Sequence, residues 1–230
     1  MNSSIKLAPL FLLRSSNKDS WNGEFHAEEH PWKLLAYSAV KRFFDIFISL
    51  LALMVLAPVM VILAIAIRIQ SPGPAIFCQR RLTAGGKVFT MFKFRTMVPN
   101  AEKRSGAVWA AKNDPRITPF GNFLRKTRLD ELPQLLNVLI GDMSLIGPRP
   151  ERPEFALELS RTLPSFNRRT EVKAGLTGLA QVEAGYASSV SEYRKKLAFD
   201  ILYVKKRCLW LDLSIAVRTI RVIFTGDGAR

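Results

Sequence analysis

The chain has 230 residues, of which 48% are apolar and 23% are charged, a balance that excludes a disordered or collagen-like protein. Its two cysteines, Cys78 and Cys208, cannot build a disulfide framework, and without histidines nearby they do not indicate a zinc site. The 34 Lys and Arg residues against 19 Asp and Glu give a net charge of +15. This excess predicts negatively charged partners such as nucleic acid, phosphorylated substrates or an anionic membrane surface.

Residues 1–35 are predicted to form a flexible N-terminal tail. The apolar stretch Leu7–Leu13 is short, and the polar run Ser15–Glu29 offers no small-residue cleavage site, so a signal peptide is not predicted. From Pro31 a helix is expected to lead into the apolar segment that follows, because Trp32 and Tyr37 suit a membrane interface.

The apolar segment Ile46–Ile67 has 22 uncharged residues, with Ser49 as its clearly polar exception. This is long enough to span a bilayer and too long for an ordinary helix of a soluble core. Pro58 interrupts the segment, and the two parts would form helices of roughly 18 Å and about 15 Å. Basic residues lie on both sides of it: Lys41, Arg42, Arg68, Arg80 and Arg81. Two hypotheses follow for residues 36–70. They form either a proline-broken re-entrant helix–break–helix that returns to the cytoplasmic face, or a single span.

Residues 71–230 are predicted to form a small α+β globular domain, mainly helical. Ala75–Gln79 and Lys87–Phe92, on either side of Gly85-Gly86, indicate a β-hairpin. Lys93 and Arg95 come two residues apart, hence on one side of an extended segment. They would form either a solvated face or a pair that binds phosphate.

An acidic pair stands at the start of a predicted helix. The spacing of Leu132, Leu135, Leu136 and Leu139 indicates a helix that begins close to Asp130, accepts Pro133 in its first turn and ends at Gly141. Arg125 and Arg128 would lower the pKa of Asp130 and keep it ionised, as a carboxylate nucleophile must be. The alternative is that Asp130 and Glu131 are ordinary capping residues.

Arg149 lies between Pro148 and Pro150 in a predicted loop, Gly141–Pro150. The prolines restrict the backbone and so present a guanidinium that suits bidentate recognition of phosphate. The alternative is a surface ion pair with Glu151 or Glu154.

The C-terminal part is predicted to be helical over 154–170, a glycine-punctuated loop over Lys173–Val182, and helical again from about Ser191 to Phe224. The last helical part is amphipathic, and its apolar stripe would lie either in the membrane headgroup plane or against the domain core. That stripe consists of Leu209, Leu213, Ala216, Val217, Ile220 and Phe224.

Several of these segments together resemble the bacterial sugar transferases, the monotopic polyprenyl-phosphate phosphoglycosyl transferases. The resemblance runs from about Lys41 to the C-terminus. It is specific because the segments share both order and spacing with that family. They are Lys41-Arg42-Phe43-Phe44-Asp45, Ser71-Pro72-Gly73-Pro74-Ala75-Ile76-Phe77, Lys93-Phe94-Arg95-Thr96-Met97, Leu129-Asp130-Glu131-Leu132-Pro133-Gln134-Leu135 and Gly147-Pro148-Arg149-Pro150.

The resemblance implies a reaction. Such an enzyme moves a sugar-1-phosphate from a UDP-sugar to undecaprenyl phosphate and releases UMP. It works on the cytoplasmic face of the bacterial inner membrane, as the first membrane step of exopolysaccharide or other surface-glycan biosynthesis. The resemblance also implies the re-entrant form of the anchor, with Met1 and Arg230 both on the cytoplasmic side.

The resemblance implies site residues as well. Asp130 would be the nucleophile that forms a covalent phosphosugar ester, and Glu131 would assist it. Magnesium would lie near Asp130 and offset phosphate charge. Phosphate recognition would fall to Lys93, Arg95, Arg125 and Arg149.

The chain departs from the family pattern at Ala57, Thr83, Ala174 and Glu183–Tyr186, and the last departure leaves the transferred sugar open. Two other functions fit the residues alone: a non-catalytic basic membrane protein that binds anionic lipid or nucleic acid, and a nucleotide-sugar hydrolase that uses water. No recognisable nucleic-acid motif supports the first. Whether the protein is a homodimer also stays open.

Overall fold

The computed structural model describes residues 31–102, 106, 108, 114–184 and 190–225. Contacts divide the chain into two units, Met1–Ala36 and Tyr37–Arg230, and the packing described below belongs to the second. The described residues form the expected α+β fold, mainly helical, with two small sheets. In chain order the elements are α1 Pro31–Gln70, β1 Ile76–Leu82, β2 Val88–Phe94, α2 Pro119–Lys126, α3 Gln134–Ile140, β3 Met143–Ile146, α4 Pro153–Thr162, β4 Ala174–Thr177, α5 Leu179–Glu183, α6 Val190–Lys206 and α7 Leu209–Thr225. Residues 1–30 of the predicted tail lie outside the described residues.

The long helix α1 begins at Pro31, as the sequence predicts, and continues through Pro58 to Gln70. The two separate helices expected on either side of Pro58 are therefore one helical element, because a proline removes one backbone hydrogen bond while its neighbours keep theirs. Among the described residues α1 is the one helix long and apolar enough to cross a membrane. Most of its large apolar side chains between Phe43 and Ile62 are exposed, so α1 is not a helix of a soluble core.

The N-terminal part of α1 is attached to the globular unit by polar side chains. Arg42 donates from Nη1 to the Val138 carbonyl at 2.6 Å and from Nη2 to the Leu139 carbonyl at 2.8 Å. These carbonyls lie at the C-terminal end of α3, where backbone acceptors lack partners within the helix. Asp45 accepts a hydrogen bond from the Leu145 backbone amide at 3.0 Å. α1 therefore contacts both α3 and β3, the elements on either side of Gly141.

The C-terminal part of α1 is attached by Arg95. Its guanidinium donates to the carbonyls of Ser71 at 2.5 Å, Pro72 at 2.9 Å and, more weakly, Ile67 at 3.5 Å. Gly73 has a φ of +109°, and a Cβ there would lie 2.6 Å from Arg95 Nη1, so this turn requires glycine. The sequence predicts phosphate binding by Arg95, whereas the structure places its side chain at the C-terminal end of α1.

The predicted hairpin is confirmed, with longer strands than expected. β1 and β2 pair antiparallel from Ile76↔Phe94 to Leu82↔Val88, so Lys93 belongs to the hairpin. Asn137, in α3, accepts from the Phe92 amide at 2.9 Å and donates to the Thr90 carbonyl at 2.7 Å. This buried amide fixes α3 against β2 and so positions Lys93 relative to the start of α3.

A second sheet is formed by β3 and β4, which pair in parallel where the sequence analysis predicted loops. That prediction was wrong because each strand has four residues, too few to show a two-residue period. The chains approach closely just beyond the strands: a Cβ on Gly175 would lie 2.1 Å from the Gly147 backbone nitrogen. The sheet thus fixes the start of the segment Gly147–Pro150, here named the Arg149 loop.

The C-terminal helical part consists of two helices, α6 and α7, separated at Arg207 and Cys208. Most of the predicted apolar stripe of α7 is exposed, while Asp212 and Ile215 on another face are buried. The core-packing alternative is therefore wrong for the exposed members of the stripe: Leu209, Leu213, Val217 and Ile220. Asp212 instead faces α1 and α6, since it accepts from Tyr37 and Tyr203, each at 2.9 Å.

Candidate active site

The acidic pair lies in a short 3-10 turn, Leu129–Glu131, that precedes α3. Arg128, just before it, has a φ of +60°, a left-handed conformation that is costly for a residue other than glycine and that is often found near functional sites. Neither this turn nor α3 has a side-chain cap. The capping alternative for Asp130 and Glu131 is therefore wrong. Gly141 ends α3 with a φ of +107°, as the sequence predicts.

Glu131 is held by two cations that come from distant parts of the chain. Arg149 donates from Nη2 to Oε1 at 2.5 Å and from Nη1 to Oε2 at 3.4 Å. Lys93 Nζ lies 3.2 Å from the same Oε1 atom. Burial by itself would raise the pKa of Glu131, but the charges of Arg149 and Lys93 outweigh it and hold that pKa well below its usual range. Glu131 is therefore ionised at neutral pH and already paired.

Asp130 has the opposite environment. It is 8% exposed, and no hydrogen bond or ion pair to its carboxylate is found among the residues that the structure describes. Burial raises the pKa of Asp130, and the adjacent Glu131 charge adds to the effect, while Lys93, Arg149 and Arg125 oppose it. The sequence-based expectation of a lowered pKa is thus wrong, because burial of the Asp130 carboxyl outweighs the effect of the nearby cations.

The Arg149 loop brings its guanidinium to the acidic turn. Sequence reasoning offered Glu151 or Glu154 as an ion-pair alternative, whereas the partner in the structure is Glu131. Behind the loop, the Arg149 carbonyl accepts from Arg169 Nη2 at 2.7 Å and the Pro150 carbonyl accepts from Arg81 Nη1 at 3.0 Å. The loop is thus held at its backbone while its side chain faces the site.

The four cations proposed for phosphate recognition do not all converge. Lys93 and Arg149 meet at Glu131, and the charge of Arg125 acts on Asp130, while Arg125 Nε donates to Thr96 Oγ1 at 3.0 Å. Burial lowers the pKa of Lys93, which the nearby Glu131 partly offsets. The guanidinium of Arg95 is instead bonded to the carbonyls at the end of α1. The structure therefore brings three of the four cations, Lys93, Arg149 and Arg125, close to the acidic pair.

Two cations that no sequence motif marks lie beside this group. Burial lowers the pKa of Lys196, in α6, and the nearby positive charge of Arg149 lowers it further. Arg169 is 5% exposed and contacts the Arg149 backbone. Neither residue stands in a recognisable motif. The available signal was helical spacing, which puts Lys196 on the same side of α6 as Tyr193 and Asp200.

A metal held by protein ligands alone is not indicated, since no group of three or more His, Cys, Asp and Glu side chains lies together in the described part of the chain. Mg²⁺ differs from such metals because it commonly takes one or two carboxylates and completes its shell with substrate phosphates and water. Asp130, with its unpaired carboxylate beside Lys93 and Arg149, the cations that the sequence predicts to bind phosphate, fits that pattern.

Comparison with known proteins decides the family. The model of a family described as "Bacterial sugar transferase" matches residues 36–226, which include all the site residues above. The chain belongs to the bacterial sugar transferase family.

Curated relatives agree with this assignment. The UDP-N-acetylgalactosamine-undecaprenyl-phosphate N-acetylgalactosaminephosphotransferase of Aeromonas hydrophila is 44% identical over 194 residues, which are 84% of this chain and 46% of that protein. A UDP-glucose:undecaprenyl-phosphate glucose-1-phosphate transferase of Caulobacter vibrioides is 40% identical over 201 residues, 86% of this chain and 75% of the relative. The Exopolysaccharide production protein PSS of Rhizobium leguminosarum is 40% identical over 186 residues, 79% of this chain and 93% of the relative. The chain thus spans about half the length of the Aeromonas relative, and the Aeromonas and Caulobacter relatives are named for different sugars.

Proposed function

We propose that this bacterial sugar transferase moves a sugar-1-phosphate from a UDP-sugar to undecaprenyl phosphate through a covalent intermediate on Asp130. The observation that carries the proposal is the buried, unpaired Asp130 carboxylate beside Lys93 and Arg149, in a chain whose relatives are named for this transfer. A nucleophile must be free to form a new bond. Asp130 satisfies that requirement, and Glu131 does not.

The chemistry takes two displacements at one phosphorus. An oxygen of the Asp130 carboxylate attacks the phosphorus that carries the sugar, the bond to the bridging oxygen of the diphosphate breaks, and UMP leaves with the electron pair. A phosphate oxygen of undecaprenyl phosphate then attacks the same phosphorus, and the Asp130 carboxylate leaves. The product is a sugar linked to the lipid by a diphosphate, and the enzyme is regenerated.

Lys93, Arg149 and Arg125 would stabilise the charge that develops on the phosphate oxygens. Glu131 holds the first two of these cations in place before substrate arrives, through the contacts of 3.2 and 2.5 Å described above. Asp130, together with the substrate phosphates, would hold Mg²⁺, which when bound would offset negative charge on the diphosphate. Arg95 has a different task, because its guanidinium bonds fasten the end of the anchor.

The experiment is release of UMP from a panel of UDP-sugars, with and without undecaprenyl phosphate, by the wild type, Asp130→Asn and a matched Asp142→Asn control. We expect release that depends on the lipid, survives in Asp142→Asn and disappears in Asp130→Asn. Release that ignores the lipid would instead indicate a nucleotide-sugar hydrolase. No release from any donor would contradict the proposed activity and favour a binding protein.

The covalent step has its own test. A donor labelled with ³²P at the sugar-side phosphate, supplied without lipid acceptor, should leave label on the denatured wild type and none on Asp130→Asn. Later addition of undecaprenyl phosphate should remove that label. Lipid-dependent turnover without any trapped label, even after rapid quenching, would favour direct transfer between the two substrates.

We also propose that α1 enters and leaves the membrane on the cytoplasmic side. Its N-terminal part contacts the globular unit through Arg42 and Asp45, its C-terminal part contacts the same unit through Ile67, and the apolar side chains between are exposed. A straight span would carry its two ends to opposite sides of a bilayer of roughly 30 Å. Attachment of both parts to one body is better satisfied if α1, although one helical element, bends at Pro58.

Cysteine labelling tests this topology. Cys78 and Cys208 are replaced by serine, and single cysteines are placed at Ser38 or Gln70, on either side of the apolar run. An impermeant maleimide should label both positions in inverted membrane vesicles and neither in sealed right-side-out vesicles. Labelling of Ser38 from the opposite side would establish a span. Pro58→Ala should move the chain towards that result, because it restores the missing backbone donor.

The exposed stripe of α7 supports a second membrane contact, in the headgroup plane. Leu213, Val217 and Ile220 are exposed on one face, and Trp210 lies near the start of the helix. An apolar face next to basic residues is typical of an interfacial helix. Replacing Leu213 and Ile220 by glutamate should weaken liposome binding of the protein; unchanged binding would contradict this contact.

A further inference from the structure

The Arg149 loop is held from behind by a buried cation that belongs neither to the acidic turn nor to its cationic partners. Arg169 lies in the 3-10 helix Phe166–Glu171, between α4 and β4. Its side chain is 5% exposed, so a guanidinium has been removed from water at a considerable desolvation cost. Hydrogen bonds and ion pairs must offset this cost, so the partners of Arg169 show which parts of the protein it connects.

The partners of Arg169 come from the loop and from α6. Nη2 donates to the Arg149 carbonyl at 2.7 Å and lies 2.8 Å from Oδ2 of Asp200. Nη1 donates to the Tyr193 hydroxyl at 2.6 Å, and that hydroxyl in turn donates to Glu151 at 2.8 Å. One planar guanidinium thus joins α6 to both Arg149 and the residue that follows Pro150. A lysine, with a single point charge, cannot reproduce that geometry.

Two aromatic rings lie beside this guanidinium. The centres of the Phe166 and Tyr193 rings lie 5.3 and 5.9 Å from the Arg169 Cζ atom. These distances are within the range of cation–π contact. The guanidinium is therefore held by cation–π contacts as well as by hydrogen bonds, and both restrict the movement of the donor that reaches the Arg149 carbonyl.

Packing alone does not fix the loop on this side. A small pocket of about 20 Å³ lies between the loop and the 3-10 helix, with Pro148, Glu151, Phe166 and Thr170 among its lining residues. That is room for about one water molecule. The position of the loop therefore depends on directed bonds from Arg169, and from Arg81 at Pro150, more than on close contact of side chains.

We infer that Arg169, fixed by Asp200 and Tyr193, is a positioning residue that holds Arg149 against Glu131. Arg169 binds the backbone carbonyl of Arg149, and the guanidinium of the same Arg149 reaches Glu131. Because the neighbouring prolines stiffen this backbone, a shift of the Arg149 carbonyl would also shift its side chain. The inference rests on the proposed function and deepens it: α6, which begins at Val190, 40 residues after Pro150 in sequence, would help set the phosphate-binding geometry.

The test compares Arg169→Met with Arg168→Met, a matched control in the same 3-10 helix whose side chain is exposed and pairs with Glu171. Hydrogen–deuterium exchange of the peptide that covers residues 147–152 needs no turnover. We expect faster exchange of this peptide in Arg169→Met and wild-type exchange in Arg168→Met. Unchanged exchange in Arg169→Met would overturn the inference, whatever the enzyme transfers.

A double-mutant cycle separates positioning from general stabilisation. Arg169→Met should lower kcat by about 10- to 100-fold, the cost of a misplacement of about 1 Å. In an Arg149→Lys background the same change should cost less than about threefold, because the residue through which Arg169 acts is already altered. Losses that multiply in the double variant would show that Arg169 stabilises the protein independently of Arg149, and would overturn the inference.

Tyr193→Phe keeps the test decisive if Arg169→Met does not fold. It retains the ring over Arg169 and removes the hydroxyl that links Arg169 to Glu151. We expect a loss in kcat of about threefold, near the value of one hydrogen bond, which disappears in the Arg149→Lys background. Wild-type kcat and wild-type loop exchange in Tyr193→Phe would count against the inference. If the wild type itself releases no UMP, the proposed function is contradicted. The hydrogen–deuterium exchange result would then decide by itself whether Arg169 positions Arg149.

Discussion

Two aspartates in different regions of this protein are buried to the same extent and have opposite surroundings. Asp130, in the acidic turn, is 8% exposed, and Asp212, at the junction of α1, α6 and α7, is 7% exposed. Asp212 accepts from the hydroxyls of Tyr37 and Tyr203 and pairs with Lys41 at 3.1 Å. Asp130 has no such partner among the described residues.

The difference teaches that burial alone does not assign a role to a carboxylate. At Asp212 the chain supplies donors for both oxygens, so this carboxylate joins the anchor to α7 and has little capacity for anything else. At Asp130 the available cations go to the neighbouring Glu131. A buried carboxylate without donors is unfavourable for the folded protein, and it is also the one that can bond to a substrate.

The largest effect should come from Asp130→Asn. We expect turnover to fall by a factor of about 1,000 or more, as for loss of a nucleophile, while the thermal stability stays equal to wild type or rises. UMP release and thermal denaturation in detergent measure the two properties. An active Asp130→Asn enzyme would refute the nucleophile assignment. A strongly destabilised Asp130→Asn protein would mean that Asp130, like Asp212, has a structural role.

A second test extends the comparison to two cations. Lys93→Met should lower turnover by about 100-fold, similar to loss of one charge-stabilising donor, with little change in melting temperature. Arg95→Met should instead lower the free energy of unfolding by about 1–3 kcal/mol, because buried carbonyls lose their donor. Kinetics and denaturation of both variants check this. The reverse pattern would restore Arg95 as a phosphate-binding residue.

Asp212→Ala should show the structural half of the comparison. We expect a decrease of about 2–4 kcal/mol in the free energy of unfolding, since Lys41 and two tyrosine hydroxyls lose their acceptor. The kcat of the folded fraction should change by less than about threefold. Asp212→Asn, which keeps an acceptor oxygen, serves as the milder variant. Equal free energies of unfolding for the wild type and Asp212→Ala would mean that the bonds of Asp212 to Lys41, Tyr37 and Tyr203 do not stabilise the protein.

The smallest effect concerns Asp200, a third buried aspartate, which pairs with Arg169 and lies near Glu151 and Lys196. Burial raises the pKa of Asp200 to about 6. Because the folded state binds this proton before the unfolded state does, Asp200 adds stability as the pH falls from 7 to 5. Over that interval wild type should therefore gain stability relative to Asp200→Asn. Parallel melting curves at both pH values would contradict the raised pKa.

Much of the site could be predicted because its residues stand in compact motifs. Asp130 and Glu131 form a recognisable pair, and Arg149 is marked by its two prolines. What the sequence could not show is which charges meet. Lys93, in β2, and Arg95, just after it, stand only two residues apart. Lys93 nevertheless reaches Glu131, 38 residues later, while Arg95 reaches Ser71, about 24 residues earlier at the end of α1.

Parts of the fold were hidden for similar reasons. The β3–β4 pair has strands of four residues, and the glycines that signal a loop are there because two backbones nearly touch. Arg169 gives no local signal, because its partners Tyr193 and Asp200 are 24 and 31 residues later. Local pattern therefore predicted the elements that bury an apolar face, and missed contacts that depend on long-range geometry.

The attachment of α1 at both of its ends has a mechanical consequence. Arg42 and Asp45 are bonded to the globular unit in the N-terminal part of α1, and Arg95 is bonded at its C-terminal end, so that rolling or pivoting of α1 alone would break these bonds. Asp130 would then sit at a constant height above the lipid. If the acceptor is the proposed lipid phosphate, it would diffuse in the two dimensions of the bilayer, and every lateral encounter would present its headgroup to Asp130 at the same level.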